Sequence, residues 1–423
     1  MGTVMGRAGQ TQWRKLHPYQ RKGVQFLRKN KRAYLADQMG LGKTAQAIMA
    51  ARSLPKLRSV LVVCPAVAVL NWERELGKWW PDRPDVWQVV SYARLIRMDT
   101  KTTGPPYDLV ILDEAHYCKT VSAQRTKRAL SEARRAGRAW LLSGTPMPNN
   151  PTELWAPVRY LWPEIAQRFG ITTAYQWLEY FTFHRPTPFG PRPYKVRNGA
   201  ELREAIRPIM LRRHLDDVGL ELPPLRVNVD RMESTPALDK ALTEYTDMEA
   251  AVADLEDSYT STLRRLLGEA KAPMIAARIA QEWMDQEYDK IVVLYHHRDV
   301  GAAIWKRLCT GQRVVGFHGG TGMKPRQDAI DAFQNDPEVS VFCAQQGAAG
   351  IAINLTAASE VVLVEPAWSP DDNAQAIARI HRIGQDNPCR ARIFSVAGTL
   401  DEAIMDTLAR KLQMQREVLD VKG

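Results

Sequence analysis

Short, almost uninterrupted apolar runs alternate along the chain with segments of helical character. In the first half, these runs cover residues 33–35, 59–64, 108–112 and 139–142. In the second half, they cover residues 290–295, 314–317, 339–344, 361–364 and 392–396. Runs of this kind, rich in β-branched residues, predict strands that are buried on both faces of a parallel sheet. Their alternation with helices predicts a doubly wound α/β fold, in which ligands bind beyond the carboxyl ends of the strands.

The domain organisation follows from the chain length and from one proline-rich point. A chain of 423 residues is too long for one ordinary hydrophobic core. The Leu-Pro-Pro sequence at residues 222–224 separates two halves that repeat the strand–helix alternation. We therefore expect a disordered tail over residues 1–11, a first lobe over 12–225 and a second lobe over 226–423, which carries a helical insertion at about 237–270.

A glycine-rich turn follows the first apolar run and precedes a helix. It reads Gly-Leu-Gly-Lys-Thr over residues 40–44. In such a turn the backbone N–H groups can cradle a phosphate, Lys43 can reach the β- and γ-phosphates, and the hydroxyl group of Thr44 can bind Mg²⁺. The generic pattern has a further glycine where this chain has Asp37. Taken alone, the turn is therefore as typical of a plain strand–turn–helix as of a nucleotide site.

Two adjacent carboxylates follow the apolar run at residues 108–112. Phosphoryl transfer to water needs a carboxylate that holds Mg²⁺ and a group that orients the attacking water. We assign the metal role to Asp113 and the water-activating role to Glu114, with His116 as a relay towards the nucleic acid. A strand that ends in two acids is often only a polar loop. Together with the glycine turn upstream, however, the pair predicts a nucleotide hydrolase.

Further segments supply candidate nucleotide contacts. The amide of Gln20 could pair with an adenine edge, although a glutamine on a helix surface is far commoner. Arg379 and Arg382 are three residues apart, so we expect them on one helix face, from which they could stabilise charge at the γ-phosphate. If they serve the site in the first half, ATP lies between two domains. The loop that ends at Gly350 could approach a phosphate or a sugar.

The composition is that of an ordinary soluble protein, with 45% apolar and 25% charged residues. The longest apolar run, at residues 60–70, is too short to span a membrane. The N-terminus has no export signal pattern. Five scattered cysteines lack the CxxC spacing of metal sites and predict reduced thiols in a cytosolic protein. We therefore expect neither export nor a membrane partner.

The charge is distributed unevenly along the chain. The net charge is +11, but residues 1–225 carry +18 and residues 226–423 carry −7. A first half this basic favours a polyanion partner, above all nucleic acid, and the alternative is a solvated basic face. Arg125, Arg128 and Arg135 share roughly one face of a predicted helix and are candidates for contacts to a phosphate backbone.

The order of five motifs resembles that of the Swi/Snf branch of superfamily-two helicase-like ATPases. The motifs are Leu-His-Pro-Tyr-Gln at 16–20, Asp-Gln-Met-Gly-Leu-Gly-Lys-Thr at 37–44, Asp-Glu-Ala-His (the DEAH box) at 113–116, Ser-Gly-Thr-Pro at 143–146 and Gln-Ala-x-x-Arg-x-His-Arg-x-Gly-Gln at 375–385. The resemblance covers about residues 12–415, and its last motif is specific to that branch. It implies two RecA-like lobes with parallel sheets flanked by helices, an ATP cleft between the lobes, ATP and Mg²⁺ as cofactors, and translocation along double-stranded DNA.

The resemblance also implies roles for single residues. These roles are adenine recognition by Gln20, phosphate binding by Gly40, Gly42, Lys43 and Thr44, Mg²⁺ binding and water activation by Asp113 and Glu114, arginine fingers at Arg379 and Arg382, and coupling of ATP to DNA by Gly350. Two positions depart from the family pattern, since Gln38 stands for the usual glutamate and Ser143 for the commoner threonine.

We therefore expect an ATP-dependent DNA translocase, a helicase-like hydrolase that moves along or remodels double-stranded or branched DNA. One alternative is a strand-separating helicase on DNA or RNA, and another is a DNA-binding scaffold that uses ATP only as a switch. The stretch at residues 345–350 is closer to the annealing-helicase relatives than to nucleosome remodellers. The chain is close to a bare motor, which favours a compact viral or bacterial version in the cytoplasm of a bacterial or virus-infected cell. A monomer is the default expectation.

Overall fold

The computed structural model describes residues 7–98, 106–187, 190–219, 222–233, 236, 239, 258–349 and 353–419. The chain divides into two compact units, Met1–Leu220 together with Arg410–Gly423, and Glu221–Ala409. Each unit is built around one parallel sheet with helices packed against it.

The first unit contains the helices and strands from α1 to β8. Its described helices are α1 (Arg7–Lys15), α2 (Pro18–Lys29), α3 (Lys43–Arg52), α4 (Val69–Trp79), α5 (Tyr92–Arg97), α6 (Gln124–Arg135), α7 (Trp155–Leu161), α8 (Pro163–Arg168), α9 (Ala174–Phe181) and α10 (Gly199–Ile206). Its described strands are β1 (Arg32–Leu35), β2 (Val60–Cys64), β3 (Trp87–Ser91), β4 (Leu109–Asp113), β5 (Arg138–Leu142), β6 (Thr182–Arg185), β7 (Arg192–Val196) and β8 (Met210–Leu211).

Six strands form the first sheet in the order β3-β2-β4-β5-β1-β8, and every pair is parallel. Strand β2 is buried along its whole length because all five of its residues are apolar and both faces of the sheet are covered. Strands β4, β5 and β1 are neighbours, so the segments that follow them emerge side by side at the carboxyl edge of the sheet.

Strands β6 and β7 form an antiparallel hairpin apart from this sheet, with a register shift between Phe183 and His184. Phe181 and Val196, at the base of the hairpin, are buried in the core of the first unit. Beyond that base the side chains are largely exposed, including Phe183 at 42% and Tyr194 at 36%. The hairpin therefore projects from the surface of the first unit on a packed base.

The second unit repeats the parallel design. Its described helices are α11 (Ser258–Met284), α12 (Arg298–Leu308), α13 (Met323–Asn335), α14 (Gln346–Ala349), α15 (Pro370–Ile377) and the first part of α16 (Leu400–Leu419). Its described strands are β9 (Leu225–Met232), β10 (Ile291–Tyr295), β11 (Arg313–Phe317), β12 (Val339–Gln345), β13 (Glu360–Leu363) and β14 (Cys389–Val396). They form a parallel sheet in the order β11-β12-β10-β13-β14-β9.

Strand β9 lies at one edge of the second sheet, paired with β14 along its whole length. It is the most exposed strand of that sheet. Val227 is 53% exposed and Val229 is 43% exposed, and both point to the same face because strand side chains alternate. The polar residues Arg226, Asn228 and Asp230 occupy the alternate positions.

The ends of the chain differ from the sequence-based domain limits. Residues 7–11, expected in a disordered tail, lie in α1, which is held by a hydrogen bond from Gln12 Nε2 to the carbonyl oxygen of Lys78 at 2.7 Å. At the other end, α16 begins in the second unit, but its residues from Arg410 belong to the first unit, where Met414 and Val418 are buried in the core.

The expected helical insertion at 237–270 falls mostly outside the described residues. The part from Ser258 belongs to α11, which continues to Met284. All five cysteines are free thiols, as expected. Among the helices that the structure describes, none combines the length and apolar character needed to cross a bilayer.

Candidate active site

The glycine turn between β1 and α3 has the backbone geometry of a tight loop. Gly40 has a φ angle of 85° and Gly42 one of 70°, a region that side chains with a Cβ atom rarely adopt. Gly42 is the N-cap of α3, so the unpaired N–H groups of the first helical turn, at Lys43 and Thr44, lie directly after it. An anion at this point would meet both those donors and the positive end of the helix dipole.

The side chain of Lys43 folds back over the loop. Its Nζ donates hydrogen bonds to the carbonyl oxygens of Asp37 at 2.7 Å and Gln38 at 3.3 Å. Burial lowers the pKa of Lys43, and the negative charges of Glu114, Asp37 and Asp113 oppose that shift. The ammonium group is thus held among carboxylates that favour its charged form.

The segment after β5 approaches the same lysine. A Cβ atom on Gly144 would lie 3.3 Å from Lys43 Nζ and 2.8 Å from Met39 Cγ. A side chain at position 144 would therefore displace the loop, which explains why this position is glycine. The loops after β1 and β5 are in direct contact.

The acidic pair lies at the end of β4, between these two loops. Trp72 Nε1 donates to Asp113 Oδ2 at 2.7 Å, and the backbone N–H of Glu114 donates to Asp113 Oδ1 at 3.1 Å. Burial, followed by the negative charge of Glu114, raises the pKa of Asp113 to about 6. Two carboxylates that crowd each other in this way attract a cation.

Glu114 has left-handed backbone angles, with φ 47° and ψ 54°, which turn the chain sharply after the strand. Its Oε2 lies 3.3 Å from His116 Nδ1. The same ring nitrogen lies 3.0 Å from Ser143 Oγ and 3.2 Å from Thr145 Oγ1. His116 therefore joins the acidic pair to the segment after β5, and its relay role stays a prediction.

Gln20 is buried in α2 at 6% exposure, so the interpretation of this residue as a helix-surface glutamine is wrong. Its Oε1 accepts from the backbone N–H of His17 at 2.9 Å, and its Nε2 donates to the carbonyl oxygen of Leu41 at 3.3 Å. A Cβ atom on Gly42 would lie 2.5 Å from Gln20 Nε2. The Gln20 amide is therefore in contact with the glycine turn.

A buried ion pair beneath the loop was not predicted from the sequence. Asp37 is fully buried, and its carboxylate accepts from Arg213 Nε at 2.9 Å, Arg213 Nη2 at 2.5 Å and Gln46 Nε2 at 3.1 Å. Arg213 also donates to the carbonyl oxygen of Tyr19 and to Gln46 Oε1 at 3.0 Å. The residue that departs from the generic phosphate-loop pattern thus fixes the loop to α2, α3 and the segment after β8.

The two candidate arginines of the second unit do not share a helix face, and that expectation is wrong. Helix α15 ends at Ile377, and the backbone N–H of Arg379 bonds only three residues back, to Ala376 O at 3.3 Å. The carbonyl oxygen of Arg379 accepts instead from Leu355 N at 3.0 Å, which draws the chain out of the helix. Both arginines lie in the turn that follows.

The structure brings together part of the predicted set. The residues that surround the carboxyl edge of the first sheet are Gln20, Gly40, Gly42, Lys43, Thr44, Asp113 and Glu114. Arg379, 6% exposed, and Arg382, whose Nη1 donates to Ile353 O at 3.2 Å, belong to the second unit. Gly350 lies outside the described residues.

The predicted basic face of α6 is partly neutralised. Arg128 Nη1 lies 3.2 Å from Glu132 Oε1, and Arg135 Nη1 lies 3.8 Å from Glu132 Oε2. The sequence argument counted the cations on this face but not the buried glutamate between them. Arg125 stacks over the ring of Tyr117, with its guanidinium carbon 5.7 Å from the ring centre.

Comparison with known protein families assigns both units. The SNF2-related domain matches residues 19–94 and 85–271, and the helicase conserved C-terminal domain matches residues 274–384. The chain belongs to the SNF2 family of helicase-like ATPases. The resemblance carried by the five motifs is therefore confirmed, and the two parallel sheets agree with the predicted fold class.

Among curated relatives, this SNF2-family chain is 30% identical to the DNA annealing helicase and endonuclease ZRANB3 of Bos taurus and of Homo sapiens, over 96% of its length. It covers 41% and 40% of those proteins. It is 29% identical to a SWI/SNF-related matrix-associated actin-dependent regulator of chromatin subfamily A-like protein 1 homolog of Caenorhabditis elegans, of which it covers 62%. The chain thus spans about two fifths of the ZRANB3 relatives.

A solved structure, titled Sulfolobus solfataricus SWI2/SNF2 ATPase core in complex with dsDNA, shares 27% identity with the chain and covers 96% of it, while the chain covers 93% of that structure. The TM-score of this comparison is 0.43. The expected location in the cytoplasm of a bacterial or virus-infected cell is wrong, because the curated relatives are eukaryotic proteins named for DNA annealing and chromatin regulation.

Proposed function

We propose that the chain is an ATP-dependent DNA translocase that moves along or remodels double-stranded or branched DNA. The observation that carries the proposal is the meeting of Lys43, the Asp113–Glu114 pair and Gly144 at the ends of three adjacent strands. This is the set of groups that ATP hydrolysis requires in one place. The DNA annealing named in the ZRANB3 relatives and the +18 charge of residues 1–225 support DNA as the partner.

In the proposed site the phosphates of ATP lie on the glycine turn. The N–H groups at the start of α3 donate to phosphate oxygens, while the positive φ angles of Gly40 and Gly42 keep side chains out of their path. Lys43 Nζ turns from the loop carbonyls towards the β- and γ-phosphates. Burial lowers the pKa of Lys43, and the negative charges of Glu114, Asp37 and Asp113 oppose that shift and so favour the charged ammonium group in this contact.

The two residues of the acidic pair have different roles, water activation by Glu114 and metal binding by Asp113. Glu114 accepts the proton of the attacking water. His116 orients that carboxylate, and its contacts with Ser143 and Thr145 connect it to the neighbouring loop. Asp113 and the hydroxyl group of Thr44 are the oxygen ligands that Mg²⁺ prefers. Bound Mg²⁺ would neutralise the charge of the phosphates.

The donor set fits a metal that arrives with the nucleotide. Mg²⁺ usually takes only one or two carboxylates from the protein and completes its shell with phosphates and water. Among the described residues, no group of three or more histidine, cysteine or acidic side chains is arranged to hold a metal alone. Burial, followed by the negative charge of Glu114, raises the pKa of Asp113, and a bound cation would favour its ionised form.

The remaining candidates complete the proposal. Arg379 and Arg382 of the second unit act as arginine fingers on the γ-phosphate. Gln20 recognises adenine through the amide that now contacts the glycine turn. Gly350 couples ATP to DNA. The chain acts as a monomer, with DNA contacts mainly to phosphates.

ATP turnover should rise strongly when duplex or forked DNA is added, and the rise should shrink at higher salt. Phosphate contacts release counterions, so binding weakens as salt increases. The measurement is steady-state turnover with no nucleic acid, single-stranded DNA, duplex DNA, forked DNA and duplex RNA, each at two salt concentrations. The Lys43→Ala protein should lose turnover on every substrate, because it lacks the ammonium group that contacts the β- and γ-phosphates at the glycine turn.

Stimulation confined to single strands or to RNA would move the assignment to a strand-separating helicase. ATP binding without turnover on any nucleic acid would favour the scaffold that uses ATP as a switch. Equal turnover by the wild-type and Lys43→Ala proteins would show that the measured hydrolysis arises elsewhere and would remove the proposed site.

The value of kcat/KM for ATP should fall as the pH drops below about 6. Asp113 has a raised pKa of about 6, so it takes up a proton on the acid side of that value and ceases to be a metal ligand. A profile between acid and neutral pH measures this. In Glu114→Gln, one cause of the raised pKa is gone, so the acid limb of nucleotide binding should move to lower pH. A wild-type profile that stays flat through pH 6 would contradict the assignment.

A further inference from the structure

The β6–β7 hairpin plays no part in the ATP site described above. Its exposed part consists mainly of basic and aromatic side chains. Residues 182–197 contain Arg185, Arg192, Lys195 and Arg197 and no acidic residue. Two aromatic rings, Phe183 and Tyr194, are exposed between these cations. A projecting segment with a net charge of +4 attracts polyanions.

The aromatic rings and the cations are placed against each other. The guanidinium carbon of Arg185 lies 4.8 Å from the ring centre of Tyr194. Lys195 Nζ lies 5.9 Å, and the guanidinium carbon of Arg197 lies 5.7 Å, from the ring centre of Phe183. These cation–π contacts hold each ring at the surface beside positive charge.

The cations of these contacts are available to a partner. Within the described part of the chain, no carboxylate is within salt-bridge distance of Arg185, Lys195 or Arg197, in contrast with Arg128 and Arg135 on α6. No described carboxylate therefore neutralises their charge, and a phosphate group would complement it.

The base of the hairpin fixes it to the first unit. Phe181 is fully buried next to Trp177, with ring centres 4.5 Å apart. The backbone N–H of Arg197 donates to the carbonyl oxygen of Phe181 at 2.8 Å, and Thr182 Oγ1 donates to Leu178 O at 2.6 Å. The exposed part is thus carried on a packed base, so force on the hairpin would be transmitted to the first unit.

We propose that this hairpin binds an unpaired DNA strand, with bases stacked on Phe183 and Tyr194 and phosphates held by Arg185, Lys195 and Arg197. Exposed aromatic rings stack on bases of any sequence, and adjacent cations follow the backbone. The proposal rests on the proposed DNA motor and makes its substrate more specific. It assigns the hairpin to the unpaired arm of a branched molecule.

The two aromatic rings give the hairpin a preference for unpaired over paired DNA. In a duplex the faces of the bases are already stacked on one another and cannot stack on the rings. Only the cations of the hairpin could then bind the DNA, through its phosphates. An unpaired strand offers both base faces and phosphates. The hairpin should therefore discriminate a fork from a blunt duplex through its rings, and bind both through its charge.

The full-length protein without nucleotide provides the test, with fluorescence anisotropy of a labelled single strand, a forked duplex and a blunt duplex of the same paired sequence. Phe183→Ala combined with Tyr194→Ala should weaken binding to the single strand and the fork by at least about tenfold. Binding to the blunt duplex should change much less. Phe183→Trp with Tyr194→Phe should retain the preference for the fork, because both rings remain.

Charge is tested separately. Arg185→Ala with Arg197→Ala should weaken binding to all three molecules and reduce the salt dependence of the single-strand affinity by about one to two in the logarithmic slope. The control is Arg307→Ala, which removes an exposed arginine of α12 in the second unit and should leave the preference for the fork unchanged. Circular dichroism of each variant shows whether the fold is retained.

Two results would overturn the hairpin proposal: an alanine double variant that binds the fork as tightly as the wild type does, or one that loses affinity equally for the fork and the blunt duplex. Either result leaves the motor proposal standing, because that proposal depends on ATP turnover by the wild-type protein. Conversely, a wild-type protein without DNA-stimulated turnover would refute the motor, while nucleotide-free binding would still report on the hairpin.

Discussion

Replacement of Glu114 by glutamine should lower DNA-stimulated ATP turnover by about a thousandfold, within the range that loss of a general base costs. The substitution keeps the size and shape of the side chain and removes its ability to accept a proton. ATP binding should persist, because Lys43 and the N-terminus of α3 remain. The measurements are single-turnover hydrolysis and nucleotide affinity in the same buffer.

The surroundings of Glu114 make this substitution selective. Its side chain is 13% exposed and lies against His116, so glutamine can occupy the same space. Loss of its charge removes one cause of the raised pKa of Asp113, which favours the ionised form of that neighbour. A fall in turnover therefore reports on Glu114 itself and not on damage to Asp113.

The matched control is Glu164→Gln, which makes the same chemical change at an exposed position of α8. It should leave turnover and nucleotide affinity within a factor of two or so of the wild type. A Glu114→Gln protein with turnover close to that of the wild type would show that another group activates the water. A protein that loses ATP affinity to the same extent as turnover would place Glu114 in binding.

Replacement of Arg213 by alanine should destabilise the first unit by about 3–5 kcal/mol, the usual effect of removing one partner from a buried ion pair. The variant leaves Asp37 fully buried with its charge no longer balanced by the guanidinium group. Because Asp37 also lies at the start of the glycine turn, ATP affinity should fall with stability. Urea denaturation of the full chain with and without ATP measures both.

A double-mutant cycle separates the ion pair from general damage. Asp37→Asn together with Arg213→Ala should be less destabilised than the sum of the single variants, because the uncompensated charge is removed with its partner. Arg207→Ala is the control, since Arg207 is exposed shortly before the same segment and should change the free energy of unfolding by less than about 0.5 kcal/mol. An Arg213→Ala protein with wild-type stability would contradict the assigned role.

The buried strands could be predicted because all of their residues lie in the same apolar environment. Strands such as β2 and β10 are apolar throughout, and each was predicted to within a residue of its observed limits. Strands β3, β8 and β9 were missed because they have mixed or exposed surroundings and lack an apolar run. The β6–β7 hairpin was also missed, because its pairing depends on two segments and neither segment is an apolar run.

Most of the active-site residues, too, could be predicted because they lie next to a predicted strand. Lys43, Asp113 and Glu114 follow strands, and their meeting follows from the order of the sheet. Asp37 pairs with a residue 176 positions away, and no local pattern predicts such a contact. A clue was present in the sequence, since an acid at a position where the generic loop has glycine needs a buried cation.

The exposed edge strand β9 has a consequence for handling the protein. An open strand edge with outward-facing valines is a template on which a second chain can add a strand, and such addition leads to aggregation. Arg226, Asp230 and Arg231 place charge on either side of the segment that contains Val227 and Val229, which opposes this growth. Variants that neutralise these charges should therefore precipitate at lower concentration than the wild type, even if each folds correctly.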